Sequence, residues 1–349
     1  MTETGYKVTR TTMTANVSMV LGLLLLVALI CAPWWAGRAD MRLMSELFLY
    51  LALASLWNLM AGYAGLVSVG QQAYVGFGGY MLFALTMLGG LHPLAAIALA
   101  GVLGALISLP VASLIFKLRG AYFAIGTWAI AEVFRLSFAQ VSALGGGSGT
   151  SLPVSIVKSL ASSRQARESL SYWLALGSVV LILLSIYLFL RSNRGLALTA
   201  IRDNELAASS LGINIWRTKL AVYVITSALT AIVGAIIFLQ KLRISPDAAF
   251  SVNDWTAFVI FIVVIGGIGT LEGPIIGTLI FFALRETLAD LGTVYLMVLG
   301  AIAIVIMLKA PNGVWGFVRQ RYDIQVFPLG YRLQQTNIKN TDPNIAEGR

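Results

Sequence analysis

Apolar runs of about 20 residues recur along this chain, and they leave it few folds to adopt. A helix of that length reaches across the hydrocarbon core of a bilayer. Ten candidate spans fall near residues 17–36, 43–61, 72–90, 94–116, 120–138, 172–190, 219–239, 255–270, 274–290 and 294–310. In lipid every backbone polar group needs a partner within the protein, so a run of this kind is helical. A β-barrel would show short segments alternating between apolar and polar residues, and the runs do not alternate. Only 11% of the residues are charged, under half the roughly 25% of a soluble domain. The expected fold class is an all-α polytopic membrane protein with about 10 transmembrane helices, forming one integral domain.

The formal charge of +9 follows from cytoplasmic loops rich in Lys and Arg, not from nucleic-acid binding. Lys7 and Arg10, Lys117 and Arg119, the 191–219 loop, and Lys309, Arg319 and Arg321 fall on one side if the chain crosses ten times. That side is expected to be cytoplasmic, with both termini on it. Lys158, Arg164 and Arg167 in the outer loop 139–171 run against the rule. The first run ends at Trp34 and Trp35, which suit an interfacial anchor better than a signal-peptide cleavage site. The single cysteine, Cys31, excludes an intramolecular disulfide and a multi-cysteine metal site. His92, before Pro93, reads as a turn residue. The polar tail after Arg321 reads as solvated and disordered.

Two of the apolar regions are broken by small residues. Gly62 to Tyr80 reads GYAGLVSVGQQAYVGFGGY, and Gly266 to Gly277 reads GGIGTLEGPIIG. Such interrupted or re-entrant segments survive only inside protein or against a watery cavity, and in matched positions of two halves they point to a transport pathway. Gln71, Gln72 and Tyr74 stand at the edge of the first break. They either hydrogen-bond a passing zwitterion or satisfy the broken backbone. Gly273 and Gly277 have the spacing of a close helix contact. Glu272 is expected to cap the helix that follows, with Pro274 near its start. Glu132 and Arg135, three apart on one helix face, are expected to form a structural ion pair. The loop Gly145 to Gly149, GGGSG, reads either as a linker or as a docking element.

No catalytic, metal or cofactor set emerges. Gly65 and Gly70 have the glycine spacing of a phosphate loop, but Gln71 and Gln72 stand where its Lys and Ser or Thr would be. Ionisable groups within the spans are sparse, which disfavours an ion-driven carrier. The chain is therefore expected to be driven from outside itself.

The polar stretch Arg191 to Lys219, RSNRGLALTAIRDNELAASSLGINIWRTK, sits between two apolar runs. Asp203 and Glu205 favour the start of a short helix, Ala207 and Ala208 propagate it, and Gly212 stops it. The small residues Ala207 to Ser210 would fit close to a partner surface, or the helix is simply solvated.

This loop resembles the cytoplasmic coupling segment of branched-chain amino-acid ABC importer permeases of the LivM type. Five further pieces match in order: Ala64 to Ala73 (AGLVSVGQQA), Leu118 to Thr127 (LRGAYFAIGT) with Glu132 and Arg135, Gly145 to Gly149, Gly266 to Pro274 (GGIGTLEGP), and Pro311 to Gly316 (PNGVWG). Asn312 departs from the Arg common in the family. The resemblance implies a type II ABC importer permease architecture. Residues 1–16 would be a cytoplasmic segment, 17–317 the permease domain with its coupling loop at 191–219, and 318–349 a cytoplasmic tail. It implies a heterodimer with a homologous second permease, two cytoplasmic ATPase subunits that hold ATP and magnesium, and a periplasmic binding protein at a bacterial inner membrane. Arg202, Asp203, Asn204, Glu205, Ala207, Ala208 and Gly212 would belong to the coupling helix. Permeases of this group also serve urea and short amides. An ion-coupled secondary carrier is the further alternative.

Overall fold

The computed structural model describes residues 4–9, 13–161, 163–288, 294–310, 312–322, 327 and 332–337. The first part of the described chain runs β1 (Thr4–Thr9), α1 (Met13–Ile30), α2 (Ala32–Trp35) and α3 (Arg38–Asn58), then α4 (Gln71–Met87), α5 (Pro93–Ile115) and α6 (Ala121–Ala139). Next come β2 (Thr150–Ser151), α7 (Val154–Leu160), α8 (Arg164–Arg191), α9 (Asn193–Asp203), α10 (Glu205–Ser210) and α11 (Ile215–Lys241). The remainder is β3 (Arg243–Ile244), α12 (Pro246–Ala249), α13 (Phe258–Gly266), α14 (Glu272–Leu288), α15 (Val294–Lys309), α16 (Gly313–Tyr322) and β4 (Arg332–Asn337). The described residues thus form an all-α bundle with two short strand pairs.

Among the described residues six helical stretches are long and apolar enough to cross a membrane: 38–63, 93–115, 164–191, 215–241, 246–266 and 296–319. The other expected spans fall on α1, α4, α6 and α14, so length and composition do not establish the expected count of ten. α4 and α14 have 17 residues each, and polar groups interrupt both α4 and α6.

Burial sorts the helices. α3 is covered on every side from Phe48 to Asn58 and continues through a π-helical turn, Leu59–Tyr63, that is buried throughout. α1 and α15 instead expose Val20, Leu21, Leu24, Ile304 and Leu308. Apolar faces of that extent suit lipid rather than water. His92 is more than a turn residue: it is the N-cap of α5, its Nδ1 accepting the Leu94 N–H at 3.3 Å ahead of Pro93 at the first helical position.

α4 sits at the centre, packed between α11 and α5 and touching α6. At two points its backbone meets that of α11 with no room for a side chain. A Cβ placed on Gly78 would lie 1.9 Å from the Ala231 carbonyl oxygen, and one on Gly234 would lie 2.2 Å from the Val75 carbonyl oxygen. At the same end as Tyr80, Phe138 and Phe250 stack with centroid separations of 4.6–5.9 Å.

The GGGSG segment is docked and is not a free linker. Gly149 adopts φ 75°, with its Cα side facing the Ile244 carbonyl at a distance that excludes any Cβ. β2 then pairs antiparallel with β3. β1 pairs antiparallel with β4, Thr4 opposite Asn337 through Thr9 opposite Arg332, so the two terminal segments lie side by side. The tail expected to be disordered therefore contains a paired strand at 332–337, while 328–331 and 338–349 lie outside the described residues.

Candidate functional site: the 191–219 loop and the two broken segments

The loop holds two helices, not the single short one expected. α9 extends to Asp203, and the chain turns at Asn204, whose backbone is extended (φ −161°, ψ 110°). Asn204 caps α10: its Oδ1 accepts the Ala207 N–H at 3.0 Å. Asp203 thus ends one helix rather than starting the next, and lies 3.3 Å from its neighbour Arg202. Glu205 opens α10 and pairs with Lys219. Gly212, at φ 82°, closes it with its N–H on the Ser209 carbonyl, while the Ile213 N–H returns to the Ala208 carbonyl at 3.1 Å. Asn214 Oδ1 then accepts the Arg217 N–H at 2.9 Å and caps α11.

α10 turns one of its small residues inward. Ala208 is 1% exposed and faces into this chain, whereas Leu206 and Leu211 are 82% and 79% exposed. Ala207, Ser209 and Ser210 are exposed beside them, so the outward surface joins the two leucines to three of the four small residues.

Behind the loop the two broken segments meet. Asn58 lies 211 residues before Gly269, yet its Oδ1 accepts the Gly269 N–H at 2.8 Å and its Nδ2 donates to the Thr270 carbonyl at 2.7 Å. One amide thereby satisfies two backbone groups of the second break. Gly62 closes the same contact, since a Cβ on it would lie 2.5 Å from the Gly269 nitrogen. Arg202 approaches from α9: a Cβ on Gly269 would lie 3.4 Å from its Nη1. The loop therefore touches the point where the breaks join.

Sequence reasoning missed Asn58. A lone Asn just before a glycine-rich break, within an apolar run, was the available signal. Asn58→Ala should lower stability by about 2–3 kcal/mol, from two hydrogen bonds and two unsatisfied backbone groups. Asn58→Asp keeps only the acceptor half and should fall between. Thermal unfolding of the purified protein in detergent checks the order; equal melting points for all three would contradict it.

Glu272 does not cap α14 as expected. Thr270 does, its Oγ1 accepting the Gly273 N–H at 3.0 Å while donating to the Gly267 carbonyl at 2.8 Å. Glu272 stands within the first turn, too far round to fold back, and its Oε1 accepts the Phe327 N–H at 3.0 Å. Gly277 does bring α14 against α13, where a Cβ would meet the Ile262 carbonyl at 1.9 Å.

Gln71, Gln72 and Tyr74 are all buried. Gln71 Nε2 donates to the Leu53 carbonyl at 3.0 Å, Gln72 Oε1 accepts from Thr256 Oγ1, and Tyr74 and Tyr223 hydroxyls lie 3.0 Å apart. Gln71 Oε1 and Ser227 Oγ are buried without a hydrogen-bond partner among the described residues. Both residues border a cavity of ≈ 10 Å³ with Tyr74, Tyr223, Thr226 and Thr230, room for about one water molecule. The three side chains thus mostly satisfy neighbouring groups, and the space beside them is too small for an organic solute in this conformation.

Arg135 Nη2 lies 2.5 Å from Glu132 Oε1, and its Nη1 lies 2.8 Å from Asp247 on α12. The pair thus ties α6 to the segment before α13. Among the described residues no group of three His, Cys, Asp or Glu side chains is placed to hold a metal ion.

Residues 41–308 match the family described as "Branched-chain amino acid transport system / permease component". The chain is 26% identical over 323 residues to the "High-affinity branched-chain amino acid transport system permease protein LivM" of Escherichia coli, spanning 86% of this chain and 76% of that protein. It is 28% identical over 278 residues to the "Probable branched-chain amino acid transport permease protein LivM" of Methanocaldococcus jannaschii, spanning 69% and 78%. A shorter match, 33% over 142 residues, links 39% of the chain to 44% of the Escherichia coli protein "High-affinity branched-chain amino acid transport system permease protein LivH". The chain belongs to the branched-chain amino acid ABC transporter permease family.

Proposed function

We propose that this family member is the membrane-embedded transport subunit of an importer for branched-chain or related amino acids. It takes substrate from a periplasmic binding protein and releases it to the cytoplasm. ATP and magnesium act in two separate cytoplasmic subunits, and a homologous second permease completes the membrane unit. The family match over most of the chain carries this reading. It favours an amino acid over urea or short amides and over an ion-coupled carrier.

In this reading Arg202, Asp203, Asn204, Glu205, Ala207, Ala208 and Gly212 form the coupling element. ATP-driven closure of the ATPase pair moves α9 and α10, and Arg202 passes the displacement to the joined breaks at Asn58, Gly62 and Gly269. A motor can shift the membrane helices only through contacts that differ between their two states, and this junction is suited to supply them. Gln71, Gln72 and Tyr74 line the pathway when it opens, and Glu132 with Arg135 is structural. Ten crossings result if α1, α4, α6 and α14 join the six longer stretches. Residues 17–317 then form the permease domain, flanked by 1–16 and 318–349. The pairing of β1 with β4 supports termini on one side, which the basic loops assign to the cytoplasm of a bacterial inner membrane.

The test is leucine uptake by the complete transporter in proteoliposomes. Uptake should continue when ion gradients are collapsed and stop when ATP is withdrawn. Uptake that follows the gradient and ignores ATP would establish the secondary carrier instead.

A further inference from the structure

At the ends of α8 and α11 farthest from the 191–219 loop, the helices part around a cavity of ≈ 800 Å³. That lies within the roughly 300–1,000 Å³ of small-molecule sites. Its wall is unusual for a membrane protein, because eight charged side chains share it with Tyr50, Trp255 and Phe258. Most of the charges neutralise one another. Glu46 holds Arg285 with bonds of 2.7 and 2.9 Å, and Glu168 holds Arg164 at 3.1 Å and Arg42 at 3.4 Å.

Lys241, Arg167 and Asp254 are different. All three border the cavity, and among the described residues none has an ion-pair partner within 4 Å, although Lys241 is attracted electrostatically by Asp254 and Glu46. Lys241 is held in place by aromatic faces, its Nζ 4.7 Å from the Trp255 ring centre and 5.7 Å from that of Phe238. Asp254 is the residue next to that tryptophan, in the turn leading into α13. Opposite charges are thus kept apart on one wall, beside an apolar surface made by Leu49, Tyr50 and Phe258.

We propose that this vestibule is a handover site for a zwitterionic α-amino acid with an aliphatic side chain. Lys241 takes the α-carboxylate, Asp254 takes the α-ammonium, and the Leu49–Tyr50–Phe258 surface takes the side chain. The assignment rests on the amino-acid reading above and deepens it. A solute that bears only one charge satisfies one of the two residues and leaves the other unpaired, so the site selects the zwitterion. An uncharged amide satisfies neither.

The test is binding of radiolabelled leucine to the assembled transporter in nanodiscs, without the binding protein. Lys241→Gln and Asp254→Asn should each weaken binding about tenfold, the loss of one charge-assisted contact. Selectivity should change in opposite senses. Leucinamide, which lacks the carboxylate, should compete as well as leucine in Lys241→Gln. Isocaproate, which lacks the ammonium, should compete as well as leucine in Asp254→Asn. A second measurement needs no variant: leucine should slow acetylation of Lys241 in the unmodified transporter, read by mass spectrometry, and leucinamide should not. Unchanged affinity, selectivity and acetylation in a transporter that still imports leucine would overturn the vestibule and leave the amino-acid reading standing. That is also the result expected if lipid headgroups fill the cavity. A transporter that imports no amino acid would overturn both.

Discussion

Gly78→Val should prevent the bundle from forming, and Gly78→Ala should already lower its stability by about 3 kcal/mol or more. The cause is the crossing of α4 and α11, where a Cβ on Gly78 would lie 1.9 Å from the Ala231 carbonyl oxygen. That neighbour is backbone inside a helix, so no side chain can rotate away. The two helices must separate by more than an ångström, and the close packing that replaces the hydrophobic drive between helices in lipid is lost along the whole contact. Helix propensity works the other way, since Ala is favoured over Gly by about 1 kcal/mol. The clash exceeds that gain. Gly234→Val should behave like Gly78→Val, because its own Cβ would meet the Val75 carbonyl at 2.2 Å. Gly177→Ala is the control: nothing lies within 4 Å of its Cβ position, so it should be neutral or slightly stabilising. Monodisperse yield and thermal unfolding in detergent decide the matter. A Gly78→Val protein that melts with the wild type would show that the crossing is looser than described.

These glycines also show how far the sequence could be read. Their density in Gly62 to Tyr80 marks an interrupted segment. That Gly78 faces the Ala231 carbonyl depends on a helix more than 150 residues away, and no local pattern encodes that. The apolar runs foretold helices well, because the bilayer imposes one length on all of them. They did not foretell which helices would be central, because an apolar side chain suits both lipid and the protein interior. α1 is the more apolar of the two, and α3 carries Arg38, Asp40, Arg42 and Glu46, yet α3 is enclosed and α1 is not. The breaks were legible, but their joining through Asn58 was not. Local chemistry failed in a different way at Glu272, where Thr270 was the shorter and better-placed acceptor for the Gly273 N–H.

Leu206 and Leu211 should matter more to coupling than any charged residue of the loop. They stand 82% and 79% exposed, Leu206 on α10 and Leu211 just after it, while Ala208 is 1% exposed. Water has no use for two leucines there, and the residues around them are polar. Burying each against a docked ATPase subunit would contribute about 1.5–3 kcal/mol. Replacing both with Glu removes that and adds two carboxylates to a closed interface, so the affinity for the ATPases should fall by at least about a hundredfold. Uptake should be lost, while insertion and thermal stability stay near wild type, since neither side chain packs against its own chain. Glu205→Lys should cost less. It loses an exposed pair with Lys219, worth no more than about 1 kcal/mol. Ala208→Leu should also reduce uptake, but by unseating α10 from the body of the permease, and it should lower the melting temperature as the leucine changes do not. Co-elution of the ATPase subunits on size exclusion, read beside uptake and melting, separates the three cases. Full ATPase retention and full uptake in the Leu206→Glu, Leu211→Glu double variant would remove α10 from the coupling surface.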